Sequence, residues 1–211
     1  MSTEHPTAEL ALVAILRGLA PARAAEVAGL LHRAGMRIIE VPLNSPDPFA
    51  SIAQLCALQL PHCLIGAGTV LTGQQVQRTY AAGGRLVVAP NCEPAVIRAA
   101  LKLGMRVMPG VATATEAFQA IGAGATELKL FPAASFGPGY LRALKTVLPA
   151  TVRVLPVGGI GAADIAAWLA AGADGFGFGS ELFRPEYGLD EIDTRARRLM
   201  HAAALAHPQP H

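Results

Sequence analysis

The sequence predicts an α/β fold of the compact (β/α)8 TIM-barrel type in a single domain, and three observations carry the prediction. Eight short apolar runs alternate with eight segments of helical period. The 211 residues suffice for one well-filled core, since domains usually span about 100–200 residues. The turn after the first run, Arg17-Gly18-Leu19-Ala20-Pro21, lacks the G-x-G-x-x-G that often opens a doubly wound nucleotide-binding sheet. Parallel strands need crossover helices, and closing their sheet into a barrel removes its exposed edges.

Taken in order, strands are expected at 12–16, 37–43, 64–69, 86–90, 106–111, 127–131, 153–158 and 175–179, each apolar and most of them rich in β-branched residues. Between the first two, Ala24, Val27, Leu30, Leu31 and Ala34 mark one helix face, and Gly35 follows where a left-handed C-terminal residue is wanted. Helices are expected likewise at 49–59, 73–82, 93–103, 115–123, 139–148, 162–171 and 190–205. Thr72-x-x-Gln75 and Thr113-x-x-Glu116 read as capping boxes, in which the two side chains satisfy orphan N–H groups at a helix start. Residues 1–10 and 206–211 are expected to fray, the latter because His207-Pro-Gln-Pro-His211 is polar and broken by proline.

Composition narrows the function. The chain is 52% hydrophobic and 15% charged, against about 25% charged in an average soluble protein, which argues against disorder. Seventeen basic and fifteen acidic residues are interspersed, with no like-charge run to follow a phosphate backbone, so nucleic acid is not an expected partner. The uncharged stretch from 48 to 77 contains Pro61, His62, glycines and glutamines that a membrane span would not carry, and no signal-like h-region opens the chain. Cys56, Cys63 and Cys92 form neither an even disulfide framework nor a C-x-x-C pair. The expectation is a cytoplasmic protein.

Period two then says which strand residues face the barrel interior. With Ile39, Val41 and Leu43 turned toward the helices, Ile38, Glu40, Pro42 and Asn44 face inward. With Leu128 and Leu130 turned outward, Glu127, Lys129 and Phe131 face inward. The other two lysines, Lys102 and Lys145, fall on helices. Lys129 and Glu40 could form a structural buried ion pair. The alternative is chemical: beside apolar neighbours such as Phe131, a lysine loses its proton more readily, and its amine can attack a ketone to form a Schiff base while a carboxylate moves protons.

None of the six histidines sits at the C-terminal end of a strand, and no His/Asp/Glu/Cys group converges there, so a metal is not expected. Gly158-Gly159 after the seventh strand and Gly179-Ser180 after the eighth occupy the position where barrels hold phosphate, although glycine also serves any tight turn. Arg17 is placed to clamp a carboxylate or phosphate, or to make a surface salt bridge. Thr69 could offer a hydroxyl or simply begin a turn.

These residues carry a resemblance. Ala14-Ile-Leu-Arg-Gly18, Ile39-Glu-Val-Pro-Leu-Asn-Ser-Pro46, Gly66-Ala-Gly-Thr69, Thr113-Ala-Thr-Glu-Ala-Phe118, Leu128-Lys-Leu-Phe-Pro132, Val157-Gly-Gly159 and Gly179-Ser180 together resemble the class I 2-keto-3-deoxy-6-phosphosugar-acid aldolases, from Ala14 to about Arg184. The resemblance implies a Schiff base on Lys129 and proton shuttling by Glu40 through a water. Arg17 and Thr69 would hold the acid end or neighbouring oxygens, Pro90 and Phe131 would pack on the pyruvoyl carbons, and Gly158, Gly159, Gly179 and Ser180 would hold the phosphate. It also implies a homotrimer and a lyase that needs no cofactor. Asn44 and Val157 match the galactonate-type pattern, where gluconate-type members carry Arg and Thr. Exchanging a Thr hydroxyl for a Val methyl changes which epimer finds a hydrogen-bond partner. Pro90-Asn91 replaces a Pro-Gly expected in gluconate-type members. Two other classes fit the spacing: a phosphosugar epimerase or isomerase using Glu40 as base, and a non-catalytic phosphosugar-binding barrel.

Overall fold

The computed structural model describes residues 10–207. Among them, nine strand segments and eight helices alternate along the chain: β1 (Ala11–Ile15), α1 (Pro21–Arg33), β2 (Ile38–Pro42), α2 (Pro48–Ala57), β3 (Leu64–Gly68), α3 (Gly73–Ala81), β4 (Leu86–Val88), α4 (Pro94–Lys102), β5 (Arg106–Met108), β6 (Gly110–Val111), α5 (Ala114–Gly122), β7 (Glu127–Leu130), α6 (Ala133–Lys145), β8 (Arg153–Pro156), α7 (Ile165–Ala170), β9 (Gly175–Phe178) and α8 (Leu189–Ala206). All pairings are parallel, in a six-stranded sheet ordered β5-β4-β3-β2-β1-β9 and a three-stranded sheet ordered β6-β7-β8. An isolated bridge between Val157 and Gly177 joins the ends of β8 and β9.

The expected alternation holds, with three corrections. The fifth strand, expected over 106–111, divides at Pro109. A proline has no N–H to give a ladder, and its carbonyl instead accepts the N–H of Lys129 at 2.8 Å, so β5 pairs with β4 while β6 pairs with β7. The helix expected over 139–148 begins at Ala133 and ends at Lys145, with a kink at Gly137 (φ 76°) just before Pro138. The helix expected over 162–171 is only Ile165–Ala170. Both capping boxes form, with Thr72 and Thr113 as caps. Of the expected frayed ends, 1–9 and 208–211 lie outside the described residues, whereas Ala206 still belongs to α8.

Two apolar clusters show which way each strand faces. The larger lies between strands and helices and includes Ile39, Val41, Leu128, Leu130, Phe176 and Phe178. The smaller lies on the opposite strand faces and comprises Ala11, Val13, Ile15, Ile38, Leu86, Val88, Met108, Leu155 and Val157. Each fully buried Leu, Ile or Phe stabilises the fold by about 1.5–3 kcal/mol, and that sum fixes the register. Glu40 pairs with Ile15 and Lys129 with Leu155, so both charged side chains belong to the inner face of the smaller cluster. Glu127 also lies there, at the start of β7, where it is neutralised by Arg106 and Arg153.

Candidate active site

Lys129 is buried, its side chain passing the face of Phe131 with Nζ 4.8 Å from the ring centroid. Burial pushes its pKa down, opposed by the charge of Glu40 and reinforced by that of Arg17. Glu40 is buried as well, and its pKa is raised from 4.5 to about 7 by desolvation, against the pull of Lys129 and then Arg17. Its Oε2 has no hydrogen-bond partner. The two side chains are not in ion-pair contact. A direct structural ion pair is therefore not what holds them inside. The pair is coupled across a gap, with an amine driven toward neutrality and a carboxylate poised to exchange a proton near pH 7.

The backbone makes room for this carboxylate. A Cβ at Gly68 would lie 1.9 Å from Glu40 Oε2 and 2.4 Å from Oε1, so the side chain reaches across the end of β3 into the space a larger residue would fill. Arg17, just beyond β1, is exposed and donates from Nη1 to Asn44 Oδ1 at 2.7 Å, while Ser45 Oγ accepts the N–H of Gly18 at 2.9 Å. The β2–α2 loop thereby fixes the β1–α1 loop.

A cavity of about 670 Å³ opens above Lys129, a volume suited to a small-molecule ligand. Arg17, Lys129, Phe131, Val157, Gly158, Gly159, Gly179 and Ser180 all line it. Eight of the expected site residues therefore converge from β1, β7, β8 and β9. Glu40, Thr69 and Pro90 do not line it. Glu40 is buried; Thr69 sits half-buried in a left-handed conformation (φ 55°); Pro90 packs against Gly110, where a Cβ would lie 2.3 Å from its carbonyl. Cys92 stands apart too, its thiol pushed up by burial and then by Glu116 and Glu93, which leaves it a protonated bystander.

The two glycine turns have separate reasons to be glycine. Gly158 and Gly159 both have positive φ (96° and 73°), a conformation that favours glycine; a Cβ at Gly159 would also lie 2.7 Å from Ala134, whereas one at Gly158 would make only a tight 3.2 Å contact with the Phe131 ring. Gly179 faces open space. The backbone N–H groups of Gly159, Ile160, Ser180 and Glu181 find no acceptor within the described residues. All four residues line the cavity, so the site holds four backbone donors without an internal acceptor.

Sequence reasoning missed Ile160 and Glu181 as donors, Asn44 as the partner of Arg17, and Arg184, which also lines the cavity. The Gly-Gly and Gly-Ser motifs point to the two amides, since the residue after each motif continues the same turn. Arg184 carries no local signature. Among the described residues no group of three or more His, Cys, Asp or Glu could hold a metal ion, and no helix is long and apolar enough to cross a membrane.

The family model described as "Aldolase: KDPG and KHG aldolase" matches residues 4–194. A protein of Rhizobium meliloti (strain 1021) named "Probable 2-dehydro-3-deoxy-6-phosphogalactonate aldolase" is 49% identical over 199 residues, 94% of this chain and 93% of the relative. A solved structure titled "Native KDPGal structure" superposes with a TM-score of 0.92 at 43% identity, covering 94% of this chain and 96% of the other. A KDPG aldolase from Legionella pneumophila, solved "with pyruvate captured at low pH as a covalent carbinolamine intermediate", superposes with a TM-score of 0.79 at 28% identity, covering 94% and 95%.

Proposed function

The chain belongs to the KDPG and KHG aldolase family, and from that premise we propose that it is a class I aldolase, a lyase, that cleaves 2-dehydro-3-deoxy-6-phosphogalactonate into pyruvate and D-glyceraldehyde 3-phosphate. The observation that carries the chemistry is Lys129, a buried amine with depressed pKa, lining the cavity within electrostatic reach of a buried carboxylate that has an unpartnered oxygen.

The neutral amine attacks the C2 ketone, and loss of water from the carbinolamine leaves a protonated imine. Glu40 accepts the C4 hydroxyl proton. That proton passes through a water, as the family resemblance implies. The C3–C4 bond breaks, its electron pair passes into the enamine, and the phosphorylated aldehyde leaves. The enamine takes the proton back at C3, and hydrolysis releases pyruvate and the free amine. Arg17, held by Asn44, pairs with the substrate carboxylate, Phe131 flanks the pyruvoyl carbons, and the free amides of the two glycine turns receive the phosphate together with Ser180. Thr69 and Pro90 support this end of the sheet from outside the cavity.

Val157 favours the galactonate epimer over the gluconate one. It is buried, lines the cavity, and offers methyl groups where a threonine would offer a hydroxyl. The same reading takes the two sheets as one closed (β/α)8 barrel in a single domain, supported by the Val157–Gly177 bridge and by the short step across Pro109. It also takes the protein to be cytoplasmic, supported by three unpaired cysteines, and homotrimeric, supported by the family resemblance and tested by sedimentation.

Borohydride reduction with pyruvate tests the chemistry. A stable pyruvate adduct on Lys129, with loss of activity, is expected. An epimerase or isomerase would turn over without borohydride sensitivity, and a binding barrel would hold ligand with no turnover. Comparing kcat/KM on the two epimers decides the substrate.

A further inference from the structure

The proposed substrate carries a carboxylate and a phosphate, about three negative charges near neutral pH. The cavity wall carries three basic side chains, Lys129, Arg17 and Arg184. Lys129 becomes the imine nitrogen, whose charge is used at C2. Arg17 is held at the acid end by Asn44 and couples to both Lys129 and Glu40. The glycine turns and Ser180 supply dipoles to the phosphate but no full charge.

We propose that Arg184 is the cation that receives the phosphate, and hence the residue that makes this pocket prefer phosphorylated over unphosphorylated sugar acids. The inference rests on the aldolase reading above. The segment after β9 that carries Arg184 is held firmly. Leu182 and Phe183 are buried, and both donate their N–H to Gly179 O at 2.9 Å. Arg23 of α1 donates to the carbonyls of Pro185 at 2.5 Å and Tyr187 at 2.6 Å. Pro185 fills the space that a Cβ at Gly18 would occupy, 2.5 Å from its Cγ. The backbone that presents Arg184 is therefore clamped between the start of α1 and the glycine turn.

The guanidinium itself makes only a long, solvent-exposed ion pair and a distant ring contact. Its side chain is half exposed and makes no hydrogen bond within the described residues, its nearest carboxylate being Glu186 at 4.0 Å, itself mostly exposed. The ring of Tyr187 lies 5.6 Å away. Neighbouring arginines are occupied: Arg195 bonds Glu191 at 3.0 Å and the carbonyl of Glu181 at 3.2 Å. The second acid of this wall, Glu181, reaches over the loop before α7, where a Cβ at Gly161 would lie 3.4 Å from its Oε2. A planar fork on the same cavity wall as the residues of the four unpaired amides suits a phosphate, which can take two parallel hydrogen bonds from it.

The test compares wild type with Arg184→Met and Arg184→Lys on the phosphorylated substrate and on 2-dehydro-3-deoxygalactonate, which lacks the phosphate. In Arg184→Met, KM for the phosphorylated substrate should rise by roughly 10- to 100-fold with kcat within about threefold, and Arg184→Lys should recover part of it. Turnover of the unphosphorylated substrate and borohydride trapping of pyruvate should match wild type. Equal losses on both substrates, or no loss on the phosphorylated one, would overturn the proposal. Inorganic phosphate binding, followed by calorimetry, is a readout independent of turnover, and the proposal requires it to weaken in Arg184→Met. Absence of pyruvate trapping in wild type would instead count against the aldolase reading.

Discussion

Gly68→Ala places one methyl group where the Glu40 carboxylate now sits. The added Cβ would lie 1.9, 2.2 and 2.4 Å from Oε2, Cδ and Oε1, and ordinary contact begins at 3.4 Å, so the carboxylate must retreat by about 1.5 Å. Gly68 is not among the residues with positive φ, so the backbone itself tolerates alanine. The obstructed atoms are also the far end of a flexible side chain, which can turn away without moving β3. Stability should therefore change little, while the proton acceptor is displaced. A misplacement of about 1 Å can cost 10²-fold in rate, and general base catalysis contributes about 10²- to 10⁴-fold, so kcat should fall on the order of 100-fold. The assay couples pyruvate release to its reduction, with borohydride trapping and thermal unfolding run beside it. Imine formation should persist because Lys129 is not touched. Gly122→Ala, in α5 with open space around it, serves as the control and should keep full activity. A Gly68→Ala enzyme with kcat within threefold of wild type would refute the placement of Glu40 as the proton-transfer group.

Lys129→Ala should abolish cleavage and pyruvate trapping together, by more than about 10³-fold, because no other lysine lines the cavity. The pH dependence of kcat/KM should rise to a plateau as pH passes about 7, where Glu40 ionises, and Glu40→Gln should flatten that limb. Glu40→Gln should also stabilise the protein at high pH. With the folded pKa raised from 4.5 to about 7, the carboxyl favours folding when protonated and loses that advantage as pH climbs, so the variant should match wild type near pH 4 and exceed it by about 3 kcal/mol above pH 8, read by denaturant unfolding. Val157→Thr should shift the kcat/KM ratio toward the gluconate epimer by roughly 10-fold, and no shift would remove Val157 as the discriminating side chain.

The inner-facing pair was legible because a strand reports its facing directly. Once Ile39 and Val41, or Leu128 and Leu130, are assigned to the helix layer, Glu40 and Lys129 have only the opposite face left, and the two apolar clusters divide in the same way. Helix starts were legible where a side chain closes them, at Thr72 and Thr113, and less so at α6, where Pro132 is followed directly by helix and a kink at Gly137 disguises the period. What the sequence could not show is distance across loops. Arg17 and Asn44 are 27 residues apart and meet only because β1 and β2 are neighbours ending at the same rim. Glu40 faces inward by its period, but its near-complete burial and partnerless Oε2 could not be read there, since periodicity fixes the face of a side chain and not its depth. That burial raises its pKa toward 7, so the desolvation that accompanies its inward position is also what prepares the carboxylate to exchange a proton.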